Sequence, residues 1–149
     1  MVIANQINLL PTGLLTVQGV ERSFPSEGTL CVRIPIRVMG KPSMSRSDKW
    51  EKRPRVQRYW RQCDLIREAF GITLMNRFLW ADRLMVTAKF GTRVEELWGK
   101  PHREKPDADN IYKGVCDALF KEDEMIYFAQ SCKYWGRSDC VEITVEGLK

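Results

Sequence analysis

Cys140-Val141-Glu142-Ile143-Thr144-Val145-Glu146 sets Val141, Ile143 and Val145 at every second position, with Glu142, Thr144 and Glu146 between them. Successive side chains of a strand point to opposite faces, so this alternation predicts a strand with one side on a core and one in water. Upstream, Gly136-Arg137-Ser138-Asp139 reads as the connection from a strand over residues 126–134. Leu84, Val86, Ala88 and Phe90 alternate with Met85, Thr87 and Lys89 in a further strand. Leu30, Val32, Ile34, Ile36 and Val38 do the same against Cys31, Arg33, Pro35, Arg37 and Met39, with Pro35 marking an edge or a bulge.

Two helices fall between these strands. The first starts near Pro54 and carries Val56, Tyr59, Trp60, Cys63, Ile66, Ala69 and Phe70 on one side, leaving Arg55, Arg58, Arg61 and Arg67 largely toward solvent. The second runs to about Phe120, with Ile111, Val115, Ala118 and Leu119 as its apolar stripe. Residues 71–81 read as a continued helix or as a connector. The order β-α-β-α-β-β predicts a small mixed β-sheet covered by two helices, in the α+β or α/β class.

At 149 residues the chain is one domain by length, and such a domain buries roughly 68–70% of its unfolded surface. Residues 1–29, punctuated by Pro11, Gly13, Gly19, Pro25 and Gly28, read as a loosely structured N-terminal extension before a domain over residues 30–149. The apolar positions near the start are interrupted by Asn5, Gln6, Asn8 and Pro11 and follow no basic segment, so neither a signal peptide nor a membrane span is expected. Five cysteines without a C-x-x-C pair, beside a single histidine, argue against zinc and for reduced thiols in a cytoplasmic setting.

Lys and Arg number 24 against 19 Asp and Glu, a net charge of +5 that suits a polyanionic partner. The excess is concentrated. Lys41, Arg46, Lys49, Lys52, Arg53, Arg55, Arg58 and Arg61 face only Asp48 and Glu51 over that stretch. Lys41, Arg46, Lys49, Lys52, Arg53, Arg55 and Arg58 are candidate phosphate contacts, and Trp50 is a candidate to stack on an exposed base. Tyr59 and Trp60 fall on the apolar stripe and are expected in the core. His102, between Lys100 and Arg103 in sequence order, is read as a phosphate contact or a bystander rather than a general base.

Lys105-Pro106-Asp107-Ala108-Asp109-Asn110-Ile111-Tyr112-Lys113, followed by Glu122-Asp123-Glu124, places hard oxygen donors beside a lysine at a helix start. Magnesium takes such donors, and phosphodiester cleavage uses such an ion. Asp107 or Asp109 is a favoured N-cap, and Asp109, Lys113 and Asp117 share a face at four-residue steps. If the chain is still extended from Asp107 to Asp109, both carboxylates point the same way and share a metal. Alternatively the aspartates merely cap the helix, the acidic turn is solvated, and Lys113 is an i,i+4 partner contributing roughly 0.2–0.5 kcal/mol. Spacing alone leaves both readings open.

Taken together, Pro106 to Lys113, Asp117-Ala118-Leu119 and Glu122-Asp123 resemble the RusA family of Holliday-junction resolvases, the crossover junction endodeoxyribonucleases. The resemblance covers the second half of the chain and, loosely, the basic region before it. It implies a RusA-like fold and a Mg²⁺-dependent, structure-selective endonuclease that resolves four-way DNA junctions by paired symmetric nicks in recombination and repair. Mn²⁺ is expected to substitute. It further implies Asp107, Asp109 and Asp123 as metal-binding acids, with Glu122 open as the third, and Lys113 as the lysine needed for cleavage. A homodimer in the cytoplasm of a bacterium or a phage-infected host cell completes the expectation. The alternatives are a nuclease of broader branched-DNA or flap specificity, and a junction-binding protein that does not cut. Acids set beside a duplex weaken pure phosphate binding, which argues against the second.

Overall fold

The three alternating apolar runs lie side by side. Val32 pairs with Ile143, which pairs with Val86; Ile34, Val141 and Ala88 form the next row, and all six are buried. The computed structural model describes residues 7–9, 15–43, 53–71 and 78–148. In chain order these give β1 (Ile7–Leu9), β2 (Leu15–Val17), β3 (Glu21–Ser23), β4 (Thr29–Ile34), α1 (Pro54–Ala69), β5 (Arg83–Gly91), α2 (Ala108–Leu119), β6 (Phe128–Gly136) and β7 (Cys140–Glu146).

β1 and β2 form a separate antiparallel pair, and the remaining strands form a five-stranded sheet in the order β3-β4-β7-β5-β6. Only β5 and β6 run parallel, with α2 as their crossover. The sheet is therefore mixed, and the fold is α+β. One face carries the apolar rows and meets the helices through Tyr59, Ile66, Ile111, Val115 and Leu119, all fully buried. The other face carries polar pairs, including Lys89 Nζ to Glu142 Oε1 at 2.8 Å and Arg83 to Glu146 at 3.3 Å.

From residue 30 onward the element order matches the expected one, while several boundaries move for local reasons. β4 stops at Ile34 instead of continuing to Met39, because Pro35 has no N–H for the ladder and the Ile36 N–H turns back to the Ile34 carbonyl at 2.9 Å. β4 is also an interior strand, flanked by β3 and β7, not an edge. β6 begins at Phe128, two residues late, because the Ile126 N–H closes a turn onto the Asp123 carbonyl at 3.0 Å. The loosely structured reading of residues 1–29 does not extend to β3, which pairs with β4, nor to Val20, which is in the core. No helix among the described residues is long and apolar enough to cross a membrane.

Candidate active site

α2 starts where the sequence requires. Asp107 has extended backbone angles (φ −71°, ψ 146°) and its carbonyl accepts the Ile111 N–H at 3.1 Å, while Ala108 is already helical. The Asp107 carboxylate makes no capping hydrogen bond; Lys105 Nζ meets it at 2.9 Å. Asp109, in the first helical turn, takes Lys113 Nζ at 3.5 Å. Alignment of the two carboxylates through an extended Asp107–Asp109 segment is thus not what forms; the helix begins between them, and each has its own lysine. Both pairs are exposed, so each stabilises the fold little and exchanges readily for another cation.

The segment before α2 is held from the sheet. Ser131 Oγ donates to the Ala108 carbonyl at 2.7 Å, and Lys133 Nζ donates to the carbonyls of Glu104 and Pro106 at 2.6 and 2.9 Å. Ser131 and Lys133 stand opposite Val86 and Ala88 of β5, at positions where the neighbouring strands put apolar side chains. Sequence reading missed both. Their signal was a hydroxyl and an ammonium at alternate positions of a strand that should have offered hydrophobes.

A second support comes from the chain after β4. Buried Gln62 of α1 accepts the Met39 N–H at 2.8 Å and donates to the Met39 carbonyl at 3.1 Å. Gly40 follows in close contact with α2: a Cβ there would stand 3.0 Å from the Cβ atoms of both Pro106 and Asn110. The Lys41 N–H then donates to the Asn110 carbonyl at 3.1 Å, and Lys41 Nζ pairs with Asp117 Oδ2 at 3.0 Å. Tyr59, fully buried, donates its hydroxyl to the same carboxylate oxygen. Burial and that hydrogen bond push the Tyr59 phenol well above its ordinary range, so it stays a donor. Asp117 is therefore occupied by Lys41 and Tyr59, and Lys41, a candidate phosphate contact, is paired within the protein.

Gly114 makes room for Tyr59: a Cβ at 114 would lie 3.2 Å from Tyr59 Cε1. Gly114→Ala should gain roughly 1 kcal/mol of helix propensity but lose about 1–3 kcal/mol to overpacking, because a tethered, fully buried ring has little room to yield. A net fall in Tm of a few degrees is expected in thermal unfolding; an unchanged or raised Tm would show that Tyr59 gives way.

At the start of α1, Arg53, Arg55 and Arg58 are exposed, and Arg53 Nη2 donates to the Ser43 carbonyl at 2.9 Å. Of the other candidate DNA contacts, Arg46, Lys49, Trp50 and Lys52 lie outside the described residues. Tyr59 is in the core as expected, but Trp60 is 47% exposed. It sits about 100° further round the helix, at the margin of the apolar stripe, with Tyr59 edge-on behind it at 5.2 Å. His102 is no phosphate contact. It is 3% exposed, stacked on Phe90 at 4.1 Å and tilted against Trp135, and burial with nearby Lys133 holds its pKa below the ordinary value.

Asp123 lies in the turn after α2. Burial pushes the Cys116 thiol up to about 12, and the Asp123 charge adds to the effect; Tyr112 is likewise raised, first by burial and then by its neighbours, Asp123 among them. Tyr112 and Cys116 follow Asp109 by three and seven residues, on the same side of α2. Asp107, Asp109 and Asp123 do not come together: among the described residues no three His, Cys, Asp or Glu side chains converge on one point. The pair at the helix start nevertheless suits magnesium, which takes one or two carboxylates and fills its shell with water and phosphate oxygens.

A family model described as endodeoxyribonuclease RusA matches residues 35–146, about three quarters of the chain. The match takes in α1, both acids of the helix start, Lys113, the acidic turn and β7. No match to a curated protein was found.

Proposed function

We propose, since the chain belongs to the RusA endodeoxyribonuclease family and is a hydrolase of DNA, that it resolves four-way junctions in the cytoplasm as a homodimer. The observation that carries the proposal is the pair of carboxylates at the start of α2, free of any capping role and each balanced by one exposed lysine. A structural cap would bond the helix N–H groups with its carboxylate; Asp107 keeps its own available. Two matched nicks resolve a junction symmetrically, and a two-fold dimer provides two equivalent sites for them.

In this reading Asp107, Asp109 and Asp123 hold Mg²⁺, with Mn²⁺ as a substitute and Glu122 as the alternative third acid. When bound, the ion supplies a polarised scissile phosphate, an activated water and stabilisation of the leaving 3′ oxygen. Lys113, released from Asp109, donates to a non-bridging phosphate oxygen as charge builds in the transition state. Lys133 and Ser131 keep the backbone on either side of Asp107 in place. Arg53, Arg55 and Arg58 contact the phosphates of the arms, together with Arg46, Lys49, Lys52 and the stacking Trp50.

Two experiments bear on this. Competing a mobile four-way junction against a flap and a linear duplex should give cleavage of the junction first; equal cutting of the flap would favour the broader nuclease. Replacing Arg53, Arg55 and Arg58 together by alanine should weaken binding to every DNA form about tenfold or more. The slope of log affinity against log salt should fall by roughly 0.9 for each phosphate that is no longer neutralised. Unchanged slopes in filter-binding titrations would remove these arginines from the interface.

A further inference from the structure

We infer that Asp117, held by Tyr59 and acting through Lys41, is a positioning residue that keeps the DNA-contacting start of α1 in register with the acids at the start of α2. The inference rests on the nuclease reading above. Three elements meet at one carboxylate oxygen: α2 supplies Asp117, α1 supplies Tyr59, and the segment leaving β4 supplies Lys41, whose Nζ is 3.0 Å away. Around that point every link is polar or sterically specified. Gln62 grips both backbone groups of Met39, Gly40 lies against Pro106 and Asn110 with no room for a side chain, and the Lys41 N–H bonds the Asn110 carbonyl. Arg53, the residue that opens α1, reaches back to Ser43, two residues beyond Lys41. A chain of contacts therefore runs from Arg53 through Ser43 and Lys41 to Asn110, the residue next to Asp109.

The same geometry tells positioning from direct binding. Lys41 and Asp117 neutralise each other, and Asp117 also takes a hydroxyl that stays protonated, so this lysine is a poor free cation for phosphate. If Lys41 bound DNA directly, removing Asp117 would free it and delete a negative charge, and affinity would rise. If Asp117 positions, its removal leaves affinity nearly unchanged and slows the chemical step, because misplacement by about 1 Å costs on the order of a hundredfold in rate.

The test uses the full chain with Asp117→Asn, Lys41→Met and the double variant. Binding to a four-way junction is measured without divalent metal, and single-turnover cleavage is measured with saturating protein and Mg²⁺. Expected are a cleavage rate lower by tenfold or more in each single variant, a Kd within threefold of the parent, and a double variant no worse than either single one. Lys41→Arg, which keeps the charge, should recover most of the rate. Amide exchange of Met39 and Lys41, read without DNA, should quicken in Asp117→Asn and in Lys41→Met. Lys41→Met removes no buried group and so carries the test if Asp117→Asn fails to fold. Tighter binding by Asp117→Asn together with weaker, less salt-dependent binding by Lys41→Met overturns the inference, as does unchanged exchange at Lys41. A parent protein that leaves junctions uncut would refute the nuclease reading instead, while the exchange result would still decide whether the link exists.

Discussion

Asp107→Asn and Asp109→Asn should each lower junction cleavage by roughly a thousandfold or more while leaving junction binding equal or a few-fold tighter. Each substitution removes one hard, charged ligand for magnesium and one negative charge beside the phosphates, so the two effects have opposite signs on rate and affinity. The fold should tolerate both changes. Asp107 makes no capping bond with its carboxylate, asparagine is as good an N-cap, and the exposed pair with Lys105 contributes little to stability. Single-turnover cleavage, gel-shift affinity and Tm measured on the same preparations separate these outcomes. A variant that cuts at the parent rate removes that aspartate from the site, and one that loses binding and cleavage in proportion makes it a binding residue.

Asp123→Asn should be as damaging as either of those changes, and Glu122→Gln milder. The Asp123 charge adds to burial in raising Tyr112 and Cys116 of its own chain. α2 spans twelve residues, about 18 Å, and Asp123 does not converge with the first two acids. Completing the site within one chain requires a shift of this turn when metal and phosphate arrive. Such a site makes a definite prediction for mixed dimers of Asp107→Asn and Asp123→Asn chains: each active site lacks one acid, and nicking is not recovered. Recovery of single-strand nicking, with mixed dimers shown to form, would mean that Asp123 is given across the dimer axis.

What the sequence made legible was whatever depends on local periodicity. The two-residue alternation at Val141, Ile143 and Val145 and the helical stripe of Ile111, Val115 and Leu119 reappear as the core, and the acids appear where the helix begins. The partners of polar side chains were not legible, because they are set by tertiary contacts. Nothing in the spacing of Asp109, Lys113 and Asp117 shows that the third is drawn away by Tyr59, fifty-eight positions upstream. His102, flanked in sequence by charged neighbours, is enclosed by Phe90 and Trp135. Trp60 shows the limit of the stripe itself: one residue past Tyr59 is enough to turn a large aromatic ring from core to surface.

The most direct measurement is product mapping on a synthetic mobile four-way junction incubated with the purified chain, with and without Mg²⁺, and resolved on a denaturing gel. A junction-resolving endonuclease leaves two nicks at symmetric positions on opposing strands, only when Mg²⁺ is present, and spares the linear duplex. Intact junctions under both conditions, or nicks scattered equally over junction and duplex, would contradict that function.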